Sequence, residues 1–198
     1  MKKIAVFASG SGSNFQSIVD EIDSGTLEAD VRLLVCDRPG ARATERAEAA
    51  GIPVFSFRAK EYESKEAFER EIIRELEAAG VEFIVLAGYM RLIGPTLLEA
   101  FGGRIVNIHP SILPAFPGKD AIGQAFDGGV KVTGVTIHYV DAGMDTGEII
   151  AQEAVTVEED ETRESLQRKI QAVEHRLYPA TLRDLFRKKS DGSIALIW

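Results

Sequence analysis

The chain has 198 residues, of which 45% are hydrophobic and 27% are charged, and its formal net charge is −8 at pH 7. This length and composition are typical of one globular domain with a single substantial core. The negative charge argues against a nucleic-acid backbone as the main partner, because phosphates attract basic surfaces. We therefore expect that nucleic acid is not a partner.

The apolar segments and the cysteine content indicate the compartment. The N-terminal apolar run at residues 3–8 is too short for a signal peptide, and no later run approaches the length of a membrane span. Cys36 is the single cysteine and lies within an apolar run, so a disulfide role is not expected. These features predict a cytoplasmic protein that makes no membrane contact.

The first predicted unit is a strand, a Gly/Ser loop and a helix. Residues 3–8 are continuously apolar, residues 9–14 read Ser-Gly-Ser-Gly-Ser-Asn, and apolar residues recur at helical spacing over 15–22. Such a loop exposes backbone N–H groups at a helix N-terminus, where the helix dipole also favours an anion. We predict a phosphate-binding loop, with a loop that merely turns the chain as the alternative.

The spacing separates this loop from two well-known phosphate loops. The Walker A loop requires Gly-Lys-Ser/Thr, and residues 9–14 contain no lysine. The dinucleotide fingerprint requires a third glycine, and Phe15 stands in that place. Asp37 nevertheless follows the second predicted strand, where a ribose-binding acid would lie. A Rossmann dehydrogenase therefore remains a weak alternative.

The rest of the first half alternates strands with helices. The predicted elements are, in order, a strand at 31–36, a helix at 41–50, a strand at 53–57, a helix from Ser64 to Gly80, a strand at 83–87 and a short helix opened by Pro95. Such alternation predicts right-handed crossovers between parallel strands. The expected fold class is α/β, with a doubly wound, mainly parallel sheet.

A fifth predicted strand at residues 105–109 ends in two polar side chains. Asn107 and His109 are two residues apart, so they leave a strand by the same face, and Pro110 should end that strand. An amide and an imidazole can both donate to a developing oxyanion, and the imidazole can also move a proton near neutral pH. Two such residues alone more often satisfy backbone groups. Their expected position beside the Gly/Ser loop, at the carboxyl ends of the strands, favours a catalytic site.

The second half changes to an antiparallel pattern. A helix is predicted at 120–126, and strands at 132–140 and 149–157 are joined by a polar loop, which indicates an edge hairpin. Asp145 in this loop is either a turn former or a carboxylate directed at His109.

The last predicted helix carries an apolar stripe from Leu166 to Leu177. Pro179 should kink or restart it, and Glu174 and His175 flank the stripe. The apolar tail at 193–198 is expected to pair with a sheet edge or a partner chain.

Four motifs occur in an order that matches a known family. They are Ser9–Asn14, Leu86–Arg91, Asn107–Pro114 and Asp141–Asp145. The chain resembles the glycinamide ribonucleotide formyltransferases of purine biosynthesis, which use 10-formyltetrahydrofolate. The resemblance covers nearly the whole chain. The last two motifs are specific to formyl-folate enzymes, and the first separates this branch from its relatives.

The resemblance implies catalytic roles for Asn107, His109 and Asp145. An amine would attack the formyl carbon of the folate and generate an oxyanion, to which Asn107 and His109 would donate. Asp145 would raise the proton affinity of His109 and pass a proton, directly or through water, towards the departing nitrogen. No metal is implied, since the three histidines lack ligand spacing. His138 and His175 are predicted to lie on unrelated elements as structural or supporting residues.

The resemblance also implies binding residues and an organisation. The ribonucleotide would be held by Gly12, Ser13, Asn14 and Glu174. The folate site would comprise Lys65, Met90, Arg91, Leu92, Ile93, Asn107, Asp141, Ala142, Gly143 and Met144. Lys65 stands where the family often has an arginine, so the charge is kept and the planar fork is lost. We expect one domain over residues 1–198, with a phosphate-binding half at 1–100 and a catalytic and folate-binding half at 101–198, acting as a monomer or homodimer.

Three other functions are weighed against this one. A formyltetrahydrofolate hydrolase would use water in place of the amine, but such relatives usually carry an extra N-terminal domain, whereas the first predicted strand begins at Lys3. A methionyl-tRNA formyltransferase should have a second, basic domain, whereas this chain is short and acidic. A non-catalytic ribonucleotide sensor would need only the Gly/Ser loop.

Overall fold

The computed structural model describes residues 1–190, and their backbone forms a seven-stranded sheet flanked by helices. The elements are β1 (Lys2–Ala8), α1 (Ser13–Asp23), β2 (Ala29–Cys36), α2 (Arg42–Ala49), β3 (Val54–Ser56), a 3₁₀ turn (Ala59–Glu61), α3 (Lys65–Ala78), β4 (Phe83–Leu86), α4 (Pro95–Phe101), β5 (Ile105–His109), α5 (Ala121–Asp127), β6 (Val132–Tyr139), β7 (Ile149–Thr156) and α6 (Arg163–Ser190). Each predicted strand and helix occurs, with most bounds within two residues of those predicted.

The order of the strands is β3-β2-β1-β4-β5-β6-β7. Strands β1 to β5 pair in parallel, whereas β6 pairs antiparallel with both β5 and β7. The predicted α/β class with a mainly parallel sheet and an antiparallel edge hairpin is confirmed. The direction of winding reverses between β1 and β4, and such a switch point is where open α/β sheets bind ligands.

Both faces of the sheet are buried, which explains the continuous apolar runs of the central strands. In β1, Ile4 and Val6 belong to a core shared with α1, α2 and α6. Their neighbours Ala5 and Phe7 belong to a second core shared with α3 and α4. Successive residues of one strand thus serve different layers, as the two-residue period requires.

The predicted helix ends have the expected chemistry. The Ser64 hydroxyl accepts from the Ala67 N–H at 3.1 Å and caps α3, and Pro95 occupies the first turn of α4. Gly51 follows α2 with a φ of +68°, which is the left-handed conformation favoured for glycine after a helix. These local signals are correct because they depend only on neighbours in the sequence.

Helix α6 is continuous from Arg163 to Ser190 through Pro179, so the predicted restart is wrong. Tyr178 and Leu182 are fully buried on either side of the proline, and this packing offsets the missing backbone hydrogen bond. The expected pairing of the tail at 193–198 lies outside the described residues. Within residues 1–190, none of the helices is both long and apolar enough to cross a membrane.

Candidate active site

A cavity of about 740 Å³ opens at the carboxyl ends of β1, β4 and β5, at the switch point of the sheet. It is lined by the Gly/Ser loop at 9–14, the segment 86–93, the end of β5, residues 118–123, the tip of the β6–β7 loop and one face of α6. Residues from all four motifs therefore meet around one space. This convergence is a tertiary property that the sequence order alone does not guarantee.

The Gly/Ser loop is supported from behind by α2. Gly12 precedes α1 with a φ of +71°, and a Cβ added there would lie only 2.8 Å from the Ala43 Cα, so glycine is required. The Ala43 N–H donates to the Gly10 carbonyl at 3.0 Å, and the Arg46 Nε donates to the Ser11 carbonyl at 2.8 Å. Arg46 was not predicted, because an arginine on a charged helix resembles any solvated face.

Asn14 and Glu174 form a polar pair on the side of the cavity that the Gly/Ser loop lines. Burial raises the pKa of Glu174 to about 7, although a hydrogen bond with Asn14 acts in the opposite direction. The Asn14 Oδ1 is buried and has no hydrogen-bond donor among the described residues. Such an atom is suited to a hydroxyl or amine of a ligand. Asn14 and Glu174 thus lie together, although they are distant in the sequence.

Asn107, His109 and Asp145 also converge, as the family resemblance implies. The His109 Nδ1 lies 3.5 Å from the Asp145 Oδ2, and His109 is 5% exposed. The His109 Nε2 is 2.8 Å from the Phe116 carbonyl, which can only accept, so this nitrogen carries the proton. The Gly118 N–H donates to the Asp145 Oδ2 at 2.8 Å.

The ionisation of Asp145 follows from these neighbours. Burial opposes the charged form, but the contact with the His138 imidazole, the hydrogen bond from the Gly118 N–H and the electrostatic attraction to His109 lower the pKa of Asp145 below its ordinary value. Asp145 itself has a φ of +55°, an uncommon conformation for a residue other than glycine. The carboxylate is therefore kept charged beside the imidazole.

His138 completes this cluster, and the prediction that it lies on an unrelated element is wrong. Antiparallel pairing of β5 and β6 places His138 opposite Asn107. The His138 Nδ1 donates to the Tyr139 carbonyl at 2.7 Å, so its Nε2 accepts from the Asn107 Nδ2 at 3.3 Å and lies 3.6 Å from the Asp145 Oδ1. The alternating pattern of β6 indicates on which face of the strand His138 lies. The residue opposite His138, however, depends on the register in which β6 pairs with β5.

The segment Met90–Ile93 lines the cavity, and apolar side chains stand at its rim. Met90, Leu92 and Met144 are 59%, 46% and 54% exposed. Flexible apolar side chains of this kind are suited to covering a flat ring system. Arg91 contributes differently, because its Nε donates to the Asp37 Oδ2 at 2.7 Å.

Asp37 does not offer a free carboxylate to a ribose. Its Oδ1 accepts from the Ser9 hydroxyl at 2.5 Å, and its Oδ2 is taken by Arg91. The residue that supported a dehydrogenase therefore serves an internal network. That alternative loses the feature on which it depended.

Three predicted folate residues lie outside the cavity lining. Lys65 is exposed and donates through Nζ to the Leu92 carbonyl. Asp141 accepts from the Gly143 N–H at 2.9 Å and from the Thr146 hydroxyl at 2.6 Å, and these bonds lower the pKa of Asp141. Ala142 is exposed. Asp141 and Ala142 thus shape the loop that presents Gly143 and Met144.

Several lining residues were not predicted. They include Arg38, Lys119, Arg163, Gln167 and Gln171. Arg163 is held by Asp120 and Asp127, each at 3.1 Å. Nothing in the local sequence separates these side chains from other surface positions. His175 lies beside Glu174 but outside the lining. Within residues 1–190, three or more His, Cys, Asp or Glu side chains are nowhere grouped so as to hold a metal ion.

The fold and the site define the class of protein. The chain belongs to the formyl transferase family, whose sequence model matches residues 2–182. Among curated proteins, it is 56% identical over 195 residues to the phosphoribosylglycinamide formyltransferase of Bacillus subtilis (strain 168), which covers 98% of this chain and 100% of that protein. It is also 42% identical over 183 residues to the trifunctional purine biosynthetic protein adenosine-3 of Drosophila melanogaster, of which it spans 14%.

Solved structures give the same result. The crystal structure of phosphoribosylglycinamide formyltransferase from Bacillus halodurans matches with a TM-score of 0.94 and 58% identity, covering 98% of this chain and 100% of that one. Glycinamide ribonucleotide transformylase 1 from Geobacillus kaustophilus matches with a TM-score of 0.92 and 62% identity, covering 93% and 98%. The formyltransferase resemblance read from the four motifs is confirmed.

Proposed function

We propose that this enzyme transfers the formyl group of 10-formyltetrahydrofolate to the glycinamide amine of glycinamide ribonucleotide, a step of de novo purine biosynthesis. One observation carries the proposal: the cluster of Asn107, His109 and Asp145 shares a single cavity with the Gly/Ser loop at 9–14. The near-complete match to phosphoribosylglycinamide formyltransferases agrees with this reading.

The ribonucleotide binds at the Gly/Ser loop. The backbone N–H groups of Gly12, Ser13 and Asn14, at the start of α1, hold the phosphate, where the helix dipole also favours an anion. Glu174 and the unpartnered Asn14 Oδ1 take hydroxyl or amine donors of the same ligand. The acceptors of this subsite match the donors of a ribosylated glycinamide.

The folate lies along Met90–Ile93 and the β6–β7 loop. The exposed side chains of Met90, Leu92 and Met144 cover its ring system, and Asp141, Ala142 and Gly143 shape the loop beside it. Lys65, which is exposed and bonded to the Leu92 carbonyl, supplies a positive charge for the acidic tail. The folate contributes the activated formyl group, and the protein contributes position and proton handling.

In the reaction, the glycinamide nitrogen attacks the formyl carbon, its carbonyl oxygen becomes an oxyanion, and the bond from that carbon to the folate nitrogen then breaks. Asn107 donates to the oxyanion through the amide hydrogen that does not face His138. His109 donates as imidazolium, stabilised by the charged Asp145. Donation through its Nε2 requires the Phe116 carbonyl to be displaced.

The protons balance between the two nitrogens. The attacking amine loses one proton after the bond forms, and the folate nitrogen gains one as it leaves. His109 and Asp145 lie within relay distance of each other and move this proton, directly or through water. This shared role in proton transfer accounts for the presence of both residues in one cavity.

We further infer the organisation of the protein. Residues 1–198 form one domain, in which residues 1–100 supply the phosphate site and residues 101–198 supply the catalytic and most of the folate site. One continuous sheet joins both halves over residues 1–190. The protein acts in the cytoplasm on small-molecule substrates, as a monomer or homodimer, without nucleic acid or a catalytic metal.

The decisive experiment is a transfer assay with and without glycinamide ribonucleotide. Consumption of 10-formyltetrahydrofolate should require the ribonucleotide and should yield its formylated amide, detected by mass spectrometry. Formate release that is independent of the amine would instead indicate a hydrolase. Binding of the ribonucleotide with no folate turnover would indicate a sensor.

A further inference from the structure

One buried carboxylate joins the two binding loops, and the mechanism above does not use it. Asp37 lies just after β2 and is 6% exposed. The Ser9 hydroxyl donates to its Oδ1 at 2.5 Å, and the Arg91 Nε donates to its Oδ2 at 2.7 Å. Ser9 opens the Gly/Ser loop, and Arg91 lies in the segment 90–93. Asp37 therefore contacts both substrate sites from below.

Ser9 extends this connection to the backbone. The Met90 N–H donates to the Ser9 Oγ at 2.9 Å, and the Ser9 N–H donates to the Gly88 carbonyl at 3.1 Å. The hydroxyl uses its proton for Asp37 and a lone pair for Met90, so the direction of each bond is set by its partner. The two loops are thus tied through a serine that is 1% exposed.

A second buried carboxylate holds only one of the loops. Glu69, on α3, is 2% exposed and accepts from the Gly94 N–H at 2.6 Å and the Leu97 N–H at 3.0 Å. It anchors the far end of the segment 90–93 and the start of α4. Among residues 1–190, neither of these two hydrogen-bond partners belongs to the Gly/Ser loop. Glu69 is therefore a natural control for Asp37.

We propose that Asp37 is a positioning residue that keeps the Gly/Ser loop and the segment 90–93 in a fixed spatial relation. A buried carboxylate is stable only when paired and hydrogen-bonded, so its partners cannot shift independently. This inference rests on the proposed function, in which the first loop holds the amine substrate and the second holds the formyl donor. A misplacement of about 1 Å between reacting groups can lower a rate by about a hundredfold.

The kinetic test compares Asp37→Asn and Ser9→Ala with Glu69→Gln. The first two should lower kcat at saturation with both substrates by about tenfold or more, because bound substrates are misaligned. The dissociation constant of each ligand alone should change much less than kcat. Glu69→Gln should instead raise the KM for the formyl folate and leave the KM for the ribonucleotide unchanged. If Asp37→Asn keeps the wild-type kcat, the proposal is overturned.

A double variant tests whether Ser9 and Asp37 act as a unit. The effects of Ser9→Ala and Asp37→Asn on kcat should be non-additive, since both remove the same connection. Ser9→Ala and Glu69→Gln should combine additively within about a factor of two. Additive losses in the Ser9/Asp37 pair would mean that the two residues act separately, which contradicts the proposal.

Amide hydrogen exchange gives a readout that does not depend on catalysis. Without substrates, Asp37→Asn should speed exchange both at Met90 and within residues 10–14, whereas Glu69→Gln should affect Gly94 and Leu97 only. Where a ligand for the Gly/Ser loop is needed, inorganic phosphate is the probe. If the wild type fails in the transfer assay but these patterns hold, the proposed function fails and the positioning role stands. If Asp37→Asn changes exchange in one loop alone, the positioning role is overturned. If Asp37→Asn does not fold, Ser9→Ala gives the same readout.

Discussion

At the scale of single residues, Asp145 owes its chemistry to its surroundings. It combines a left-handed backbone conformation with contacts to two imidazoles and one backbone N–H. Those contacts lower the pKa of Asp145 although burial opposes ionisation. A charged acid in this position stabilises an imidazolium more than it stabilises a bound ligand, so its loss should appear mainly in turnover.

Asp145→Ala should therefore lower kcat by about a hundredfold or more and leave the dissociation constant of the formyl folate within a few-fold of wild type. Steady-state kinetics and a folate titration measure the two quantities. Glu148→Gln is the matched control, because Glu148 is an exposed carboxylate in the same β6–β7 loop. It should change neither kcat nor the dissociation constant of the folate. Near-normal turnover of Asp145→Ala would refute the catalytic role.

Glu174 predicts a pH dependence of stability. Burial raises its folded-state pKa from the ordinary 4.5 to about 7, so the folded protein keeps the proton in a range where the unfolded chain has lost it. The stability contributed by this proton is complete below the unfolded pKa and is lost as the pH rises through the folded pKa. A shift of this size corresponds to at most about 3 kcal/mol.

Without ligand, the free energy of unfolding of the wild type should therefore fall relative to Glu174→Gln as the pH rises from below 4.5 to above about 7. Urea unfolding at several pH values measures the difference. Glu164→Gln, at an exposed position of the same helix, should follow the wild type. Parallel pH profiles for the wild type and Glu174→Gln would contradict a raised pKa at this site.

At the scale of elements, the junction of β1, the Gly/Ser loop and α1 depends on α2. Helix α2 supplies the donors for two loop carbonyls and the surface against which Gly12 is placed. The sequence predicted the loop from its composition, but the support from α2 arises only when the helix crosses behind it. The two glycines of the loop consequently differ in what they tolerate.

Gly12→Ala should destabilise the protein by about 1–3 kcal/mol, because its φ is +71° and the new Cβ would meet Ala43 at 2.8 Å. It should also weaken binding of inorganic phosphate. Gly10→Ala is the matched control, since a Cβ there meets nothing within 4 Å, and its effect should be clearly smaller. Urea unfolding and phosphate titration measure both effects, and equal losses in the two variants would contradict this account of the loop.

At the scale of the whole molecule, α6 joins the last part of the chain to the centre of the sheet. The hydroxyl of Tyr178 lies 2.8 Å from the Leu86 carbonyl and 3.3 Å from the Val106 carbonyl, and the residue is fully buried. The same helix presents Glu174 to the cavity. Tyr178 thus connects α6 to β4 and β5, the strands that carry the site.

Tyr178→Phe should lower the free energy of unfolding by about 1–3 kcal/mol, because buried carbonyls lose a donor while the packing volume is nearly kept. Differential scanning calorimetry or urea unfolding measures the change. The KM values of the folded variant should stay close to wild type, since the hydroxyl does not line the cavity as a ligand group. An unchanged stability would show that the two carbonyls do not depend on this hydroxyl.

The sequence alone determined the fold class, the order of the elements and the placement of Asn107 and His109 on the same face of one strand. These features follow from neighbours along the chain: the two-residue period of a strand, the helical period, and the capping residues Ser64 and Pro95. The convergence of Asp145 on His109 came instead from the family resemblance, because no local pattern specifies a contact between a loop and a distant strand.

Only the tertiary structure decided which side chains share a partner. His138 stands opposite Asn107 because β5 and β6 pair in one particular antiparallel register, and a shift of one residue would turn it to the other face. Asp37 and Lys65 are turned towards the segment 90–93, and Arg46 towards the Gly/Ser loop, by the packing of separate elements. Such contacts depend on the relative placement of whole strands and helices, which local sequence periodicity does not encode.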